Sequence, residues 1–344
     1  MPTLLERLDP VAEATMRNLI GGAIRTQAIH VAAKLGIADH LSLGPRTADD
    51  LAGRVSAHAP TLRRVLRFLV ASGVFVENED GRFALNRVAE FLQTAHPRSM
   101  RPSAIRAGEG MWNVAGRLLS AVQTGSTPYE EIHGTTFFER AGATEFGARM
   151  SSTTAGLGEA IAGLETIAGA KRVVDVGGGN GALLTQLLAA RPQLEGVLFD
   201  RPAAIEAAQK TITDRCELVA GDFFESVPDG DAYLLSWILH DWDDEKATRI
   251  LRACRGGRLV IVEVILPDRA EAMVTAPGVL ADPYTLDLQM LLLTGGRERT
   301  LDEYRALLDG AGFEVRRVTP LDSFRGASAI EARSLPNAVR ETGS

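Results

Sequence analysis

Cysteine is nearly absent: Cys216 and Cys254 are the only two in 344 residues, and they form no CxxC pair and no Cys/His cluster. Neither a disulfide framework nor a structural zinc site is indicated, and a reducing cytoplasm suits this composition. A basic excess is lacking as well. The 37 Lys and Arg face 44 Asp and Glu, a net charge of −7, which argues against nucleic acid or an anionic membrane as the main partner. No uninterrupted apolar run has the length of a membrane span. The N-terminal stretch MPTLLERLDPVAEATMRNLIGG scatters charges among its apolar residues, so it reads as an amphipathic helix and not as a signal peptide. Internal repeats and low-complexity tracts are missing too. Hydrophobic residues at 45% and charged residues at 24% then describe a soluble globular chain, long enough for two domains or for one large domain with a smaller partner.

From Leu4 to about Ala38 apolar residues recur at helical spacing, and a helix is predicted to end at Gly36. Thr47 precedes ADDLAGRV and Ala59-Pro60 precedes TLRRVLRFLVASG, two further helices. VFVENEDGRFALN then alternates apolar and polar residues around an Asp80-Gly81 turn, the pattern of a hairpin, so the N-terminal region reads as a winged helix. Helical periodicity returns between Ala89 and Ala168, broken by Pro97, Pro102, Gly125 and Pro128. At Lys171 the character changes to apolar runs separated by helical segments: RVVDVGGG, GVLFDRP, CELVAGDFF, AYLLSW, RLVIVEVI and FEVRRVTP. Such alternation predicts an α/β domain with a parallel or mostly parallel sheet. The expected organisation is residues 1–95, 96–168 as a helical connecting segment, and 169–335.

The chemistry concentrates at strand ends. VVDVGGGNG places Asp175 before glycines 177, 179 and 181, where a chain must turn tightly and approach a ligand closely. The spacing D-x-G-x-G-x-G differs from the dinucleotide G-x-G-x-x-G, and Asp175 disfavours a phosphate. A glycine turn without a ligand is the alternative for the loop taken alone. About 20 residues on, Asp200 ends the next strand, placed to accept ribose hydroxyls. After the third strand Asp222 and Phe223 are an acid for an adenine amino group and an aromatic to cover the ring, although Asp222 fits a helix cap equally well.

DVGGGNG, LFDRP, GDFFESVP, LLSWILHDWDDEKATRIL, VIVEVILPD and GGRERTLDEYRALLDGAGF together resemble the class I small-molecule O-methyltransferases, which include plant caffeic acid and flavonoid enzymes and bacterial antibiotic-tailoring enzymes. The resemblance spans nearly the whole chain. It implies a Rossmann-like S-adenosylmethionine-binding methyltransferase domain preceded by an all-helical winged-helix dimerisation domain, and hence a homodimer. It implies His240 as general base, with Glu263 and Glu298 as the acids that orient it. The cofactor positions it implies are Asp175, Gly177, Gly179, Asp200, Asp222, Phe223, Ser236 and Trp237; Ser236 stands where the plant enzymes commonly carry lysine. The cofactor would leave as S-adenosylhomocysteine, and no metal is needed.

In-line methyl transfer from a sulfonium requires alignment and a deprotonated nucleophile, so a single base suffices. Without the resemblance His240 reads first as a capping or packing histidine beside Trp237 and Trp242. Asp241, Asp243, Asp244 and Glu245 suggest either a divalent metal or an N-cap at Asp243, and the cap is the expectation. Trp112, Phe137, Phe138, Phe146, Met150, Trp237, Asp287 and Met290 are candidates for the wall of a flat aromatic substrate, or for ordinary core. Two rivals remain: a cofactor-binding homologue that hydroxylates or decarboxylates a polyketide, and a DNA-binding regulator using Arg63, Arg64 and Arg67 on one helix.

Overall fold

The computed structural model describes residues 9–140, 142, 154–209, 211–212, 215–270, 283–321, 324 and 326–336. They form two units, residues 1–117 and 118–344, so the helices of the expected connecting segment are shared between the two.

In the first unit Asp9 caps the helix Pro10–Ile20 by accepting from the amides of Val11 and Ala12. That helix buries none of its residues: Val11, Met16, Leu19 and Ile20 are all exposed, as is Ile24 on the next helix, Gly22–Lys34. The core lies further on. Leu51 from the helix Ala48–Val55, Leu62, Leu66 and Leu69 from Ala59–Ala71, and Ile37 and Leu41 close on Phe75 and Phe83 of the hairpin. Its strands β1 (Phe75–Glu77) and β2 (Phe83–Leu85) pair antiparallel, with Gly81 at φ 75° in the turn, as the alternation predicts. Arg46 bridges to Phe83 on the other side. Arg63 pairs with Asp49 at 2.9 Å, and Arg67 grips Glu77 through both Nε and Nη2. Two of the three arginines on the helix thus direct their charge to acids of the same unit and not toward an outside anion.

The second unit is built on strands β3 (Arg172–Val176), β4 (Glu195–Asp200), β5 (Cys216–Ala220), β6 (Ala232–Ser236), β7 (Arg258–Leu266), β8 (Arg299–Thr300), β9 (Phe313–Leu321) and β10 (Ala327–Ser334). Their order is β5-β4-β3-β6-β7-β10-β9, with β8 beside β7. The strands from β5 to β7 are parallel, and β10 runs antiparallel to both β7 and β9. The sequence reading stops at FEVRRVTP and lacks β10, whose ASAIEARS mixes small and charged residues although its centre, Ala329 to Ala332, is buried. Val173, Val174, Leu234, Leu235, Val260 and Ile261 are fully buried because helices cover both faces of the sheet. From β3 the chain winds outward to β4 and β5, then returns to β6 on the other side. The loops after β3 and β6 therefore diverge, leaving a crevice at the carboxyl ends of these two strands.

Candidate active site

A cavity of about 670 Å³ opens at that crevice. Its first wall is backbone. Gly177, Gly179 and Gly181 hold φ of 73°, 61° and 74°, a region that side-chain-bearing residues rarely occupy. A Cβ on Gly177 would come within 2.6 Å of Ile238, and one on Gly178 within 2.4 Å of the Asp175 carboxylate. Asp200 is fixed by the amides of Gly179 (2.8 Å) and Arg201 (2.6 Å). Burial raises its pKa against the pull of those two amides. Asp175, 1% exposed and with Oδ2 unpartnered, is pushed up to about 7 by burial and then by the Asp200 charge.

Asp222 accepts from the Phe224 amide at 2.8 Å within a turn, not at the start of a helix as its alternative role expects, and lines the cavity beside Phe223. Phe223 meets Trp242 edge-on at 6.0 Å, and Phe138 stacks on Trp242 at 5.7 Å and 27°. The Ser236 hydroxyl reaches the same cavity, buried and without a partner. Glu130, Glu139, Asp175, Asp200, Asp222 and Asp241 bring six acids to the lining, against Arg201 and Lys246. Glycine backbone, an aromatic slot and an acidic lining fit S-adenosylmethionine, which carries an adenine, a ribose and a sulfonium cation. Asp200, the glycine turn, Phe223 and Ser236 line the cavity in which it would sit.

The second wall is built from side chains distant in sequence. Trp237, directly after β6, adopts φ 57°, a strained value for a bulky residue, and its amide donates to Val262 at 3.0 Å. The reversal points three successive amides at Glu263 on β7: Oε1 accepts from Ile238 (3.0 Å), Leu239 (2.8 Å) and His240 (3.4 Å). His240 Nδ1 lies 2.7 Å from Glu298 Oε1 and 3.6 Å from Glu263 Oε2, and Nε2 lies 3.9 Å from Asp241 Oδ1. Burial by itself would lower the imidazole pKa, but Glu263, Asp241 and Glu298 together raise it to about 10. Burial in turn raises Glu263, and raises Asp241 to about 6.

Donor atoms of His240, Glu263 and Glu298 lie within 4.8 Å of one another. Glu263 Oε1 serves three amides and Glu298 Oε1 serves the ring, while Oε2 of each carboxylate is buried without a partner. Asp243 caps the helix Asp244–Ala253 through the Lys246 amide at 2.8 Å, as expected.

The cavity brings together Asp175, Gly177, Gly179, Asp200, Asp222, Phe223, Ser236, Trp237, Phe137 and Phe138. His240, Glu263 and Glu298 are buried immediately behind Trp237 and Asp241. Of the substrate candidates, Asp287 instead accepts the Glu298 amide at 2.8 Å, and Met290 is buried on the helix Pro283–Leu293. Trp112 belongs to the first unit, 40% exposed on the helix Gly110–Ala115, while Phe146 and Met150 lie outside the described residues. Sequence reading missed Trp242, Asp241, Arg201 and Lys246 as lining residues, although the first two sit in the same HDW element as His240.

Residues 17–95 match the O-methyltransferase dimerisation domain and residues 116–314 the O-methyltransferase domain. The phenazine O-methyltransferase PhzM of Lysobacter antibioticus is 40% identical over 334 residues, 92% of this chain and 95% of that protein. The structure of NcsB1, an O-methyltransferase from neocarzinostatin biosynthesis in complex with S-adenosylmethionine and 2-hydroxy-5-methyl naphthoic acid, is 33% identical and superposes with a TM-score of 0.77, covering 90% of this chain and 96% of that one. Aclacinomycin 10-hydroxylase RdmB of Streptomyces purpurascens is 34% identical over 337 residues, 90% of this chain and 87% of that protein. Among the described residues no helix is long and apolar enough to cross a membrane. The chain belongs to the S-adenosylmethionine-dependent O-methyltransferases and carries their dimerisation domain, which makes it a homodimer.

Proposed function

We propose that this enzyme methylates a phenolic hydroxyl of a small aromatic or polyketide-type metabolite in the cytoplasm, with His240 as the general base. The observation that carries the reading is the 2.7 Å contact between His240 Nδ1 and Glu298 Oε1. A carboxylate only accepts, so Nδ1 keeps a proton, and Nε2 takes one from the substrate once the ring is neutral, the form that a bound sulfonium favours. Glu298 then stabilises the imidazolium that forms. Glu263 acts differently: through three backbone amides it fixes the turn that aims the ring. A proton affinity raised to about 10 lies close to that of a phenol, about 10 in tyrosine, so transfer between them is nearly balanced. Bound S-adenosylmethionine supplies the methyl electrophile and a positive charge. Asp200 and the glycine turn hold its nucleoside end, Phe223 covers the base, and Phe137 contributes to the acceptor's side of the cavity.

The substrate class is supported by the relatives named for phenazine and naphthoate chemistry. The 34% identity to a hydroxylase favours one alternative, oxygen insertion on the same scaffold. Incubation of a panel of phenolic acceptors with methyl-labelled cofactor, followed by mass spectrometry, separates the two. Gain of one labelled CH₃ in place of hydrogen supports methylation, and gain of an unlabelled oxygen atom would overturn it.

A further inference from the structure

Arg299 is 0% exposed, and its guanidinium is not accounted for by the chemistry above. Nη1 donates to the Leu239 carbonyl at 2.9 Å and Nη2 to the Trp242 carbonyl at 2.8 Å, the two residues that bracket His240 and Asp241. Nε donates to Asp244 Oδ1 at 2.9 Å, tying the fork to the first residue of the following helix, and the group lies 6.0 Å above the Tyr304 ring. The preceding residues press on the same turn. Arg297 donates its amide to the His240 carbonyl at 2.9 Å, Glu298 binds the ring, and a Cβ on Gly296 would fall 2.0 Å from the His240 oxygen. Four successive residues, 296 to 299, thus touch the short stretch 239–242 from backbone to ring.

We infer that Arg299 is a positioning residue: its planar fork locks the turn that carries His240 in register with Glu298, so that the ring's carboxylate partner and its backbone move as one body. The inference rests on His240 acting as the base. A guanidinium is suited to the task because its rigid fork spans two carbonyls and a carboxylate at once, whereas a lysine ammonium reaches one or two of them. A buried charge with every contact satisfied also resists rotation of the turn, since any displacement leaves a donor unpaired. Without the fork the ring samples other orientations, and small displacements at a reacting centre cost large factors in rate.

The test compares Arg299→Lys with Leu251→Ala, a cavity mutation in the buried core of the neighbouring helix that removes none of the turn's hydrogen bonds. The measurements are kcat, acceptor KM, cofactor Kd, melting temperature and the downfield proton resonance of the short Nδ1–Glu298 hydrogen bond, assigned by its loss in His240→Ala. Arg299→Lys is expected to lower kcat about 10-fold or more, with cofactor Kd within about 3-fold, and to broaden or abolish the resonance. Leu251→Ala is expected to lose a comparable amount of stability while keeping the resonance and kcat within about 2-fold. Asp244→Ala, which removes one partner at a largely exposed position, gives a milder version of the same kcat loss and serves if Arg299→Lys does not fold. A wild-type resonance and kcat in both Arg299→Lys and Asp244→Ala, or the same losses in Leu251→Ala, would overturn the inference. Failure of the base reading looks different: His240→Ala would then retain turnover, while the resonance in the Arg299 variants would still report on the clamp.

Discussion

The two walls of the active site are made in opposite ways. The cofactor wall is local: within five residues after β3 three glycines turn the backbone, and the acid that receives a glycine amide lies one strand away, 21 residues on. The base wall is assembled from residues 236–244, Glu263, Asp287 and 296–299, and its working parts are buried charges that neutralise one another. A wall made of backbone tolerates little steric change. A wall made of paired charges is sensitive to the loss of any one of them, because the partner left behind is desolvated and unpaired.

The sharpest way to break the comparison is to strike each wall and ask whether the other responds. His240→Ala should lower kcat by about 100-fold or more, the range of general base catalysis, with cofactor Kd changed no more than a few-fold. Parallel loss of cofactor affinity in calorimetry would mean the walls are one unit. Gly177→Ala attacks the other wall: at φ 73° and with Ile238 2.6 Å from the new Cβ, it should weaken cofactor binding about 10-fold or more by displacing the turn. Because Ile238 also leads into the base turn, some loss of kcat at saturating cofactor is expected, and its size measures the coupling.

Asp200→Ala is the cleaner cut on the cofactor side. Removing a carboxylate placed for ribose hydroxyls should cost about 1.5–3 kcal/mol, roughly 10- to 100-fold in Kd, since hydrogen bonds to a charged group fall in that range. Turnover at saturation should hardly change. A variant that binds normally would place the ribose elsewhere in the cavity.

This difference in construction also governs how much of the site sequence reading reaches. The glycine turn, Asp200 and the strand ends are legible because each is a local pattern whose spacing carries its own geometry. The hairpin at Asp80-Gly81 and the Asp243 cap are legible for the same reason. His240, Glu263 and Glu298 come from family resemblance, since nothing local ties a histidine to carboxylates 23 and 58 residues away. Asp287 reads as a substrate contact but holds the Glu298 amide, and Arg299, which no sequence pattern singles out, is fully buried. Both are settled by tertiary packing. Strand β10 is missed because its burial comes from lying between β7 and β9, not from an apolar run.

The smallest expected effect sharpens the comparison most, because it asks whether charge passes between the walls. With the cofactor side empty, His240 binds its proton up to about pH 10. Its native pKa is raised above the usual 6.5, so the group contributes stability that is full below pH 6.5 and is lost as pH rises through 10. A sulfonium in the cavity disfavours a nearby imidazolium and moves that pKa down. S-adenosylmethionine should therefore release a fraction of a proton on binding between pH 7 and pH 9, measured by calorimetry in buffers of different ionisation enthalpy. S-adenosylhomocysteine, a neutral sulfide with the same nucleoside and amino acid ends, should release less. Asp175, with a pKa near 7, also releases protons toward a nearby cation, so His240→Gln measures its share. In His240→Gln the difference between the two ligands should shrink to that share. Equal release for both ligands in the wild type would mean that the base wall does not sense the cofactor's charge, and the base would then have to shed its proton by some route other than cofactor binding.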